Sequence, residues 1–156
     1  IVTNQSGVAR GMFPEEKVFE TNDALVEMLA SHGARIDAIY FCPHHPTEGE
    51  PSYRMDCECR KPRPGLVFRA AEDLDIDVSS SFVIGDKDSD IELAANGGCA
   101  AAVLVLTGYG PQQQSRSKAI DPSPKRIHIS KDFIAAANWI IEQVKRNSDI
   151  LIKKDV

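Results

Sequence analysis

The spacing of apolar positions switches along the chain between strand-like runs and helical recurrence, which predicts strands interleaved with helices. Ile1-Val2-Thr3 reads as a strand end, closed by the polar turn Asn4-Gln5-Ser6-Gly7. Pro14 suits the first turn of a helix in which Val18, Leu25, Met28 and Leu29 recur at helical spacing, and Gly33 is placed to end it. Residues 36–41 form a short apolar run of strand type. From 42 to 63 periodicity disappears and Pro, Gly, Glu and Ser dominate, so this long loop needs something to order it. Helical spacing returns over 66–74, a strand over 81–84 ends at Gly85-Asp86, and a helix over 91–96 is stopped by Gly97-Gly98. A second apolar strand over 101–106 ends at Thr107-Gly108. Residues 112–125, rich in Gln, Ser and Pro, read as a surface loop. Residues 127–129 read as a last short strand, and Ser130 as the cap of a helix with Phe133, Ala137, Ile140, Ile141 and Val144 on one face.

This order predicts an α/β fold of three layers, Rossmann-like, with a mostly parallel sheet covered on both faces. One domain over 1–147 carries a loop insertion at 42–59, and 148–156 is a tail. Ligands in such sheets bind at the carboxyl ends of the strands, so Thr3, Asp86 and Thr107 are expected to share one crevice.

Composition narrows the function. The 156 residues are 42% hydrophobic and 26% charged, with mean hydropathy -0.25, as in a soluble globular chain. A formal charge of -5 and a pI near 5.3 argue against a broad basic surface for nucleic acid. No apolar run is long enough to cross a bilayer, and no secretory leader is recognisable, so the expectation is a cytoplasmic monomer without a membrane or nucleic-acid partner.

Inside the aperiodic loop, Cys42-Pro43-His44 and Cys57-Glu58-Cys59 make a C-x-H…C-x-C pattern. Four such ligands suit a tetrahedral Zn²⁺ and leave no position open for water or substrate, so the metal is expected to be structural. A disulfide fits a cytoplasmic chain poorly, and scattered core cysteines seldom fall in one polar loop. His45 is left to solvent or a hydrogen bond, and Cys99, beside an apolar strand, reads as a core residue.

Three further groups suit phosphate chemistry, each with a plainer alternative. Asp86, directly after an apolar strand, is a natural Mg²⁺ ligand with Lys87 beside it; the alternative is an acidic helix start. Thr3-Asn4-Gln5-Ser6 offers hydroxyls and N–H groups to phosphate oxygens; the alternative is a polar turn. Arg60-Lys61 supplies two cations after the last cysteine of the loop; the alternative is a solvated basic turn.

Taken in order, the Thr loop, the Lys and the Gly-Asp pair resemble the second, third and fourth motifs of the haloacid-dehalogenase-like phosphatases. Within that superfamily TNQSGVARGMF, CPHHP…CECRKP and VIGDKDSD are similar to the D-glycero-D-manno-heptose 1,7-bisphosphate phosphatase family, over roughly residues 1 to 110. The related histidinol-phosphate phosphatases have a shorter zinc loop, an Asp where Ser6 stands and Gly-Asp-Arg in the fourth motif. A non-catalytic zinc-stabilised module is the alternative from another class.

The resemblance implies a Mg²⁺-dependent phosphoric monoester hydrolase acting on a small phosphorylated sugar through an aspartyl-phosphate. It implies Asp86 as the Mg²⁺ ligand, and Thr3 and Lys61 as stabilisers of the transferring phosphoryl group. Asn4, Gln5 and Ser6 would line the phosphate or sugar, Arg60 and Lys87 would contact substrate, and Asp90 would support its neighbours. The family's D-x-D-G-[TV] nucleophile sequence does not occur here. The expectation is a chain lacking the first, central strand with its nucleophile, and inactive alone.

Overall fold

The computed structural model describes residues 1–117 and 126–152. They form two compact units, Ile1–Ile76 and Asp77–Val156.

In the first unit the chain runs through β1 (Val2–Asn4), α1 (Glu15–Ser31), β2 (Tyr40–Cys42) and α2 (Gly65–Leu74). β1 and β2 are parallel, with Val2 opposite Tyr40 and Asn4 opposite Cys42. Flanking bonds from Tyr40 N to the Ile1 carbonyl, 2.8 Å, and from Gln5 N to the Cys42 carbonyl, 2.7 Å, extend the ladder. The strand expected over 36–41 is thus confined to the residues that β1 lies beside. Pro14 precedes α1, and Glu15 and Glu16 occupy its first turn, where the helix dipole favours acids. Gly33, with φ of +78°, ends the helix in a left-handed conformation. α1 buries Val18 and sets Phe19 edge-on to Phe41 of β2, ring centres 5.2 Å apart.

The second unit opens with a short 3-10 turn at Val78–Ser80 and continues through β3 (Phe82–Gly85), α3 (Asp88–Gly97), β4 (Ala101–Val105), α4 (Gly110–Ser117), β5 (Arg126–Ser130) and α5 (Phe133–Ile152). The strands are ordered β3-β4-β5, all parallel. Every residue of the central β4 is buried, as a parallel strand covered on both faces requires. Val103 and Val105 pack against Ala136, Trp139 and Ile140 of α5. Alternation turns Ala102 and Leu104 to the other face, where α3 buries Ile91, Leu93 and Ala94. Trp139 lies parallel to the His128 ring at 4.3 Å and meets Phe82 edge-on at 6.2 Å.

All pairings are parallel, as the alternation of elements predicts, and the strands fall in two ladders, one in each unit. Three local expectations change. Residues 112–117 are helical rather than loop, because Pro111 suits a first turn and Gln is a good helix former; 118–125 lie outside the described residues. Ser130 does not cap α5: it belongs to the β4–β5 ladder, and Asp132 Oδ1 accepts from Ala135 N at 2.8 Å instead. α5 continues to Ile152, into the segment read as a tail. Among the described residues no helix is long and apolar enough to cross a membrane.

Candidate functional site

The C-x-H…C-x-C residues converge. Cys42, fully buried, ends β2, and the loop after it returns through a turn in which Tyr53 N and Arg54 N both donate to the Glu50 carbonyl. His45 and Arg54 bridge there, with His45 N on the Tyr53 carbonyl at 3.1 Å and Met55 N on the His45 carbonyl at 3.0 Å. Gly49, at φ of +95°, lets the loop pass directly under the Ala9 carbonyl, which accepts from Glu50 N at 2.7 Å; a Cβ at Gly49 would collide with that oxygen.

This brings the Sγ atoms of Cys42, Cys57 and Cys59 and Nδ1 of His44 within 4.8 Å of one another. Cys42 Sγ lies 3.5 Å from Cys57 Sγ and 3.7 Å from His44 Nδ1, while Cys59 Sγ lies 3.3 Å from both Cys57 Sγ and His44 Nδ1. Zn–S bonds of about 2.3 Å imply tetrahedron edges of about 3.8 Å, so the donor set and its spacing fit zinc. Burial pushes the Cys42 and Cys59 thiols above the ordinary value, so a cation must displace their protons. Two arginines brace the ligand-bearing backbone: Arg60 donates to the His44 carbonyl at 2.9 Å, and Arg63 to the Cys57 carbonyl at 3.1 Å and the Asp56 carboxylate at 2.7 Å. His45 is no fifth ligand, because its Nδ1 accepts from Glu48 N at 2.9 Å and its Nε2 faces Arg10 at 3.1 Å. Cys99 is a buried core residue, 1% exposed.

The same unit gathers the Thr loop and Lys61 at the end of β1. Lys61 Nζ donates to the Val2 carbonyl at 3.0 Å, next to Thr3. Asn4 Oδ1 accepts from Lys61 N at 3.0 Å, and Asn4 Nδ2 donates to the Lys61 carbonyl at 3.1 Å. Gln5 Nε2 reaches Thr3 Oγ1 at 3.4 Å, and the Ser6 carbonyl accepts from Arg10 N at 3.1 Å. A hydroxyl, two amides and an ammonium are therefore held on one strand end.

The second unit holds Asp86 immediately after β3. Asp86 Oδ2 accepts from Tyr109 N at 2.9 Å, and Gly108, at φ of +57°, gives the approach its room, since a Cβ there would meet the Asp86 carboxylate. The carboxylate sits at a strand end with hard oxygen donors, which suits Mg²⁺. Lys87 Nζ lies over the Tyr109 ring, 4.3 Å from its centre. Asp90, 5% exposed, accepts from Lys87 N at 3.1 Å and so caps α3.

The expected residues thus form two groups, Thr3, Asn4, Gln5, Ser6, Arg60 and Lys61 with the zinc ligands in the first unit, and Asp86, Lys87 and Asp90 in the second. The sequence reading missed Arg63, whose acidic partners carry no motif, and the Gly108–Tyr109 turn, for which a glycine past a strand end was the available signal.

Comparison with known proteins gives concordant matches. A family model for HAD-hydrolase-like proteins matches residues 58–132. The D-glycero-beta-D-manno-heptose-1,7-bisphosphate 7-phosphatase of Photorhabdus laumondii is 45% identical over 108 residues, 69% of this chain and 57% of that protein. The D-glycero-alpha-D-manno-heptose-1,7-bisphosphate 7-phosphatase of Burkholderia mallei is 34% identical over 127 residues, 81% of this chain and 67% of that protein. A crystal structure of D,D-heptose 1,7-bisphosphate phosphatase from B. bronchiseptica, complexed with magnesium and phosphate, matches with a TM-score of 0.76 at 33% identity, covering 91% of this chain and 73% of that one. The chain spans little more than half the length of the Photorhabdus relative.

Proposed function

The chain belongs to the D-glycero-D-manno-heptose 1,7-bisphosphate phosphatase family of HAD-like hydrolases, and from that premise we propose that its residues serve hydrolysis of the C7 phosphate ester of the heptose bisphosphate. The observation that carries this reading is the attachment of Lys61 to the strand end that bears Thr3.

In such a reaction an aspartate attacks phosphorus, the ester oxygen leaves with a proton from a second carboxyl, and water then releases phosphate. Phosphoryl transfer needs positioning and positive charge more than covalent help, and these residues supply both. The Lys61 ammonium and the Thr3 hydroxyl stabilise charge on the transferring phosphoryl oxygens. Asp86 would hold Mg²⁺, which when bound neutralises phosphate charge. Gln5 and Ser6 line the substrate beside Thr3. One N–H of Arg60 is spent on the His44 carbonyl, and a guanidinium carries five donors, so Arg60 retains an edge with which to recognise an anion or a sugar hydroxyl. Lys87, with its ammonium over the Tyr109 ring, offers a positive charge to an anion. Cys42, His44, Cys57 and Cys59 hold zinc as a brace for the loop that delivers Arg60 and Lys61. No D-x-D-G-[TV] sequence occurs among the 156 residues, and none of their carboxylates is assigned as the nucleophile.

The test uses the chain joined to the D-x-D-bearing segment of the Photorhabdus relative, with Mg²⁺ and heptose 1,7-bisphosphate. Lys61→Ala and Asp86→Asn each lower kcat by roughly a hundredfold or more, the scale of a lost transition-state donor. Near-normal kcat in both would refute the assigned roles.

A further inference from the structure

Both polar atoms of the Asn4 amide are taken up by the backbone of one residue 57 positions along the chain, Oδ1 by the Lys61 N–H at 3.0 Å and Nδ2 by the Lys61 carbonyl at 3.1 Å. A side-chain amide that meets a peptide on both atoms imitates a rung of a β-ladder. It fixes the position and the direction of that peptide. Lys61 needs such a fixture, because it leaves a long loop with little regular structure and its ammonium rides on a flexible four-carbon stem.

The remaining contacts around it complete the hold. Arg60 anchors the preceding residue to the His44 carbonyl at 2.9 Å, and Lys61 Nζ is received by the Val2 carbonyl at 3.0 Å. The lysine is therefore pinned at its backbone by Asn4 and at its tip by β1. A side chain with only a hydroxyl is too short to span both peptide groups, and a carboxylate cannot donate to the carbonyl.

From this geometry we infer that Asn4 is a positioning residue that acts through Lys61, holding its ammonium at the strand end that bears Thr3, rather than a ligand of the phosphate or sugar. The inference rests on the reading in which Lys61 acts on the phosphoryl group, and it replaces the substrate-lining role that resemblance gave to Asn4. Preorganising one donor in this way is worth rate rather than binding, since a small misplacement of a catalytic group costs far more in the transition state than in the ground state.

Two measurements test it. In the zinc-loaded 156-residue chain, Asn4→Ala and Asn4→Ser, checked for normal zinc content and melting, should speed hydrogen exchange of the Lys61 amide at least about tenfold, as expected for a lost local protection. Unchanged protection overturns the clamp whether or not any enzyme is active. In the completed enzyme, Asn4→Ala should lower kcat between about tenfold and a hundredfold with KM within about twofold, and add nothing in a Lys61→Ala background. An Asn4→Ala effect that persists undiminished in the Lys61→Ala background, or that falls on KM alone, would place Asn4 on the substrate and overturn the inference. An inactive completed enzyme in which the Lys61 amide still loses protection supports the clamp and refutes the phosphatase reading alone.

Discussion

Single residues decide how well each group of candidate side chains is held. Gly108 is one, since its φ of +57° and the Asp86 carboxylate at its α-carbon both exclude a side chain. Gly108→Ala should cost about 1–3 kcal/mol in a urea melt, the usual scale for a strained backbone site, and should move the Asp86 carboxylate off Tyr109 N. Each member of the Cys/His cluster is a second such residue, because loss of one donor leaves only three for a tetrahedral ion. Cys59→Ser should purify with well under one equivalent of zinc by elemental analysis. Zinc should also leave the wild-type chain as pH falls, because protons compete for the same sulfur and nitrogen atoms. Asp77 offers a pH signature independent of metal. Its carboxylate accepts from Ser79 N at 2.9 Å, Ser79 Oγ at 2.6 Å and Ser80 Oγ at 2.6 Å, and these bonds, the Ser79 side chain first, hold it below the ordinary 3.8. A lowered folded-state value means that the carboxylate stabilises the fold above pH 3.8 and that this is lost as pH falls below it. Asp77→Asn should therefore be less stable than wild type at pH 7, with the gap closing in melts near pH 3.

At the scale of elements, what was legible in the sequence was what local chemistry determines. The four residues that converge as a Cys/His cluster sit in two short pairs of fixed spacing, and a polar loop with no other means of order advertised them. β3 and β4 were read nearly to their bounds because their apolar runs end in Gly85 and Thr107-Gly108, and the end of α3 was marked by Gly97-Gly98, although the helix starts at Asp88, three residues before its expected start. Pairing over long separations was not legible. The Asn4–Lys61 clamp joins residues 57 apart, and no periodicity carries that information. β2 was read too long because a strand ends where its neighbour ends, a fact belonging to β1 rather than to 36–39. α4 was missed because polar composition was taken for loop, although Gln favours helix. The core of the second unit allows a direct check of the layer description. Leu104, fully buried in β4, should cost about 2–5 kcal/mol when changed to Ala, measured by denaturant unfolding.

For the whole molecule, one unit carries a cation and hydroxyl set beside a Cys/His cluster that fits zinc, and the other a carboxylate that suits Mg²⁺. The chain bears a formal charge of -5, against which the cations Arg60, Lys61 and Lys87 stand as local exceptions. In the function proposed above, Thr3 and Lys61 stabilise a phosphoryl group whose attacking aspartate is not among these residues. Phosphate release from heptose 1,7-bisphosphate with Mg²⁺, measured for the 156-residue chain and for the same chain joined to a D-x-D-bearing segment, tests it most directly. Release is expected from the joined protein, abolished when the first aspartate of that segment becomes Asn, and none above background from the 156 residues alone. Turnover by the 156-residue chain would contradict it.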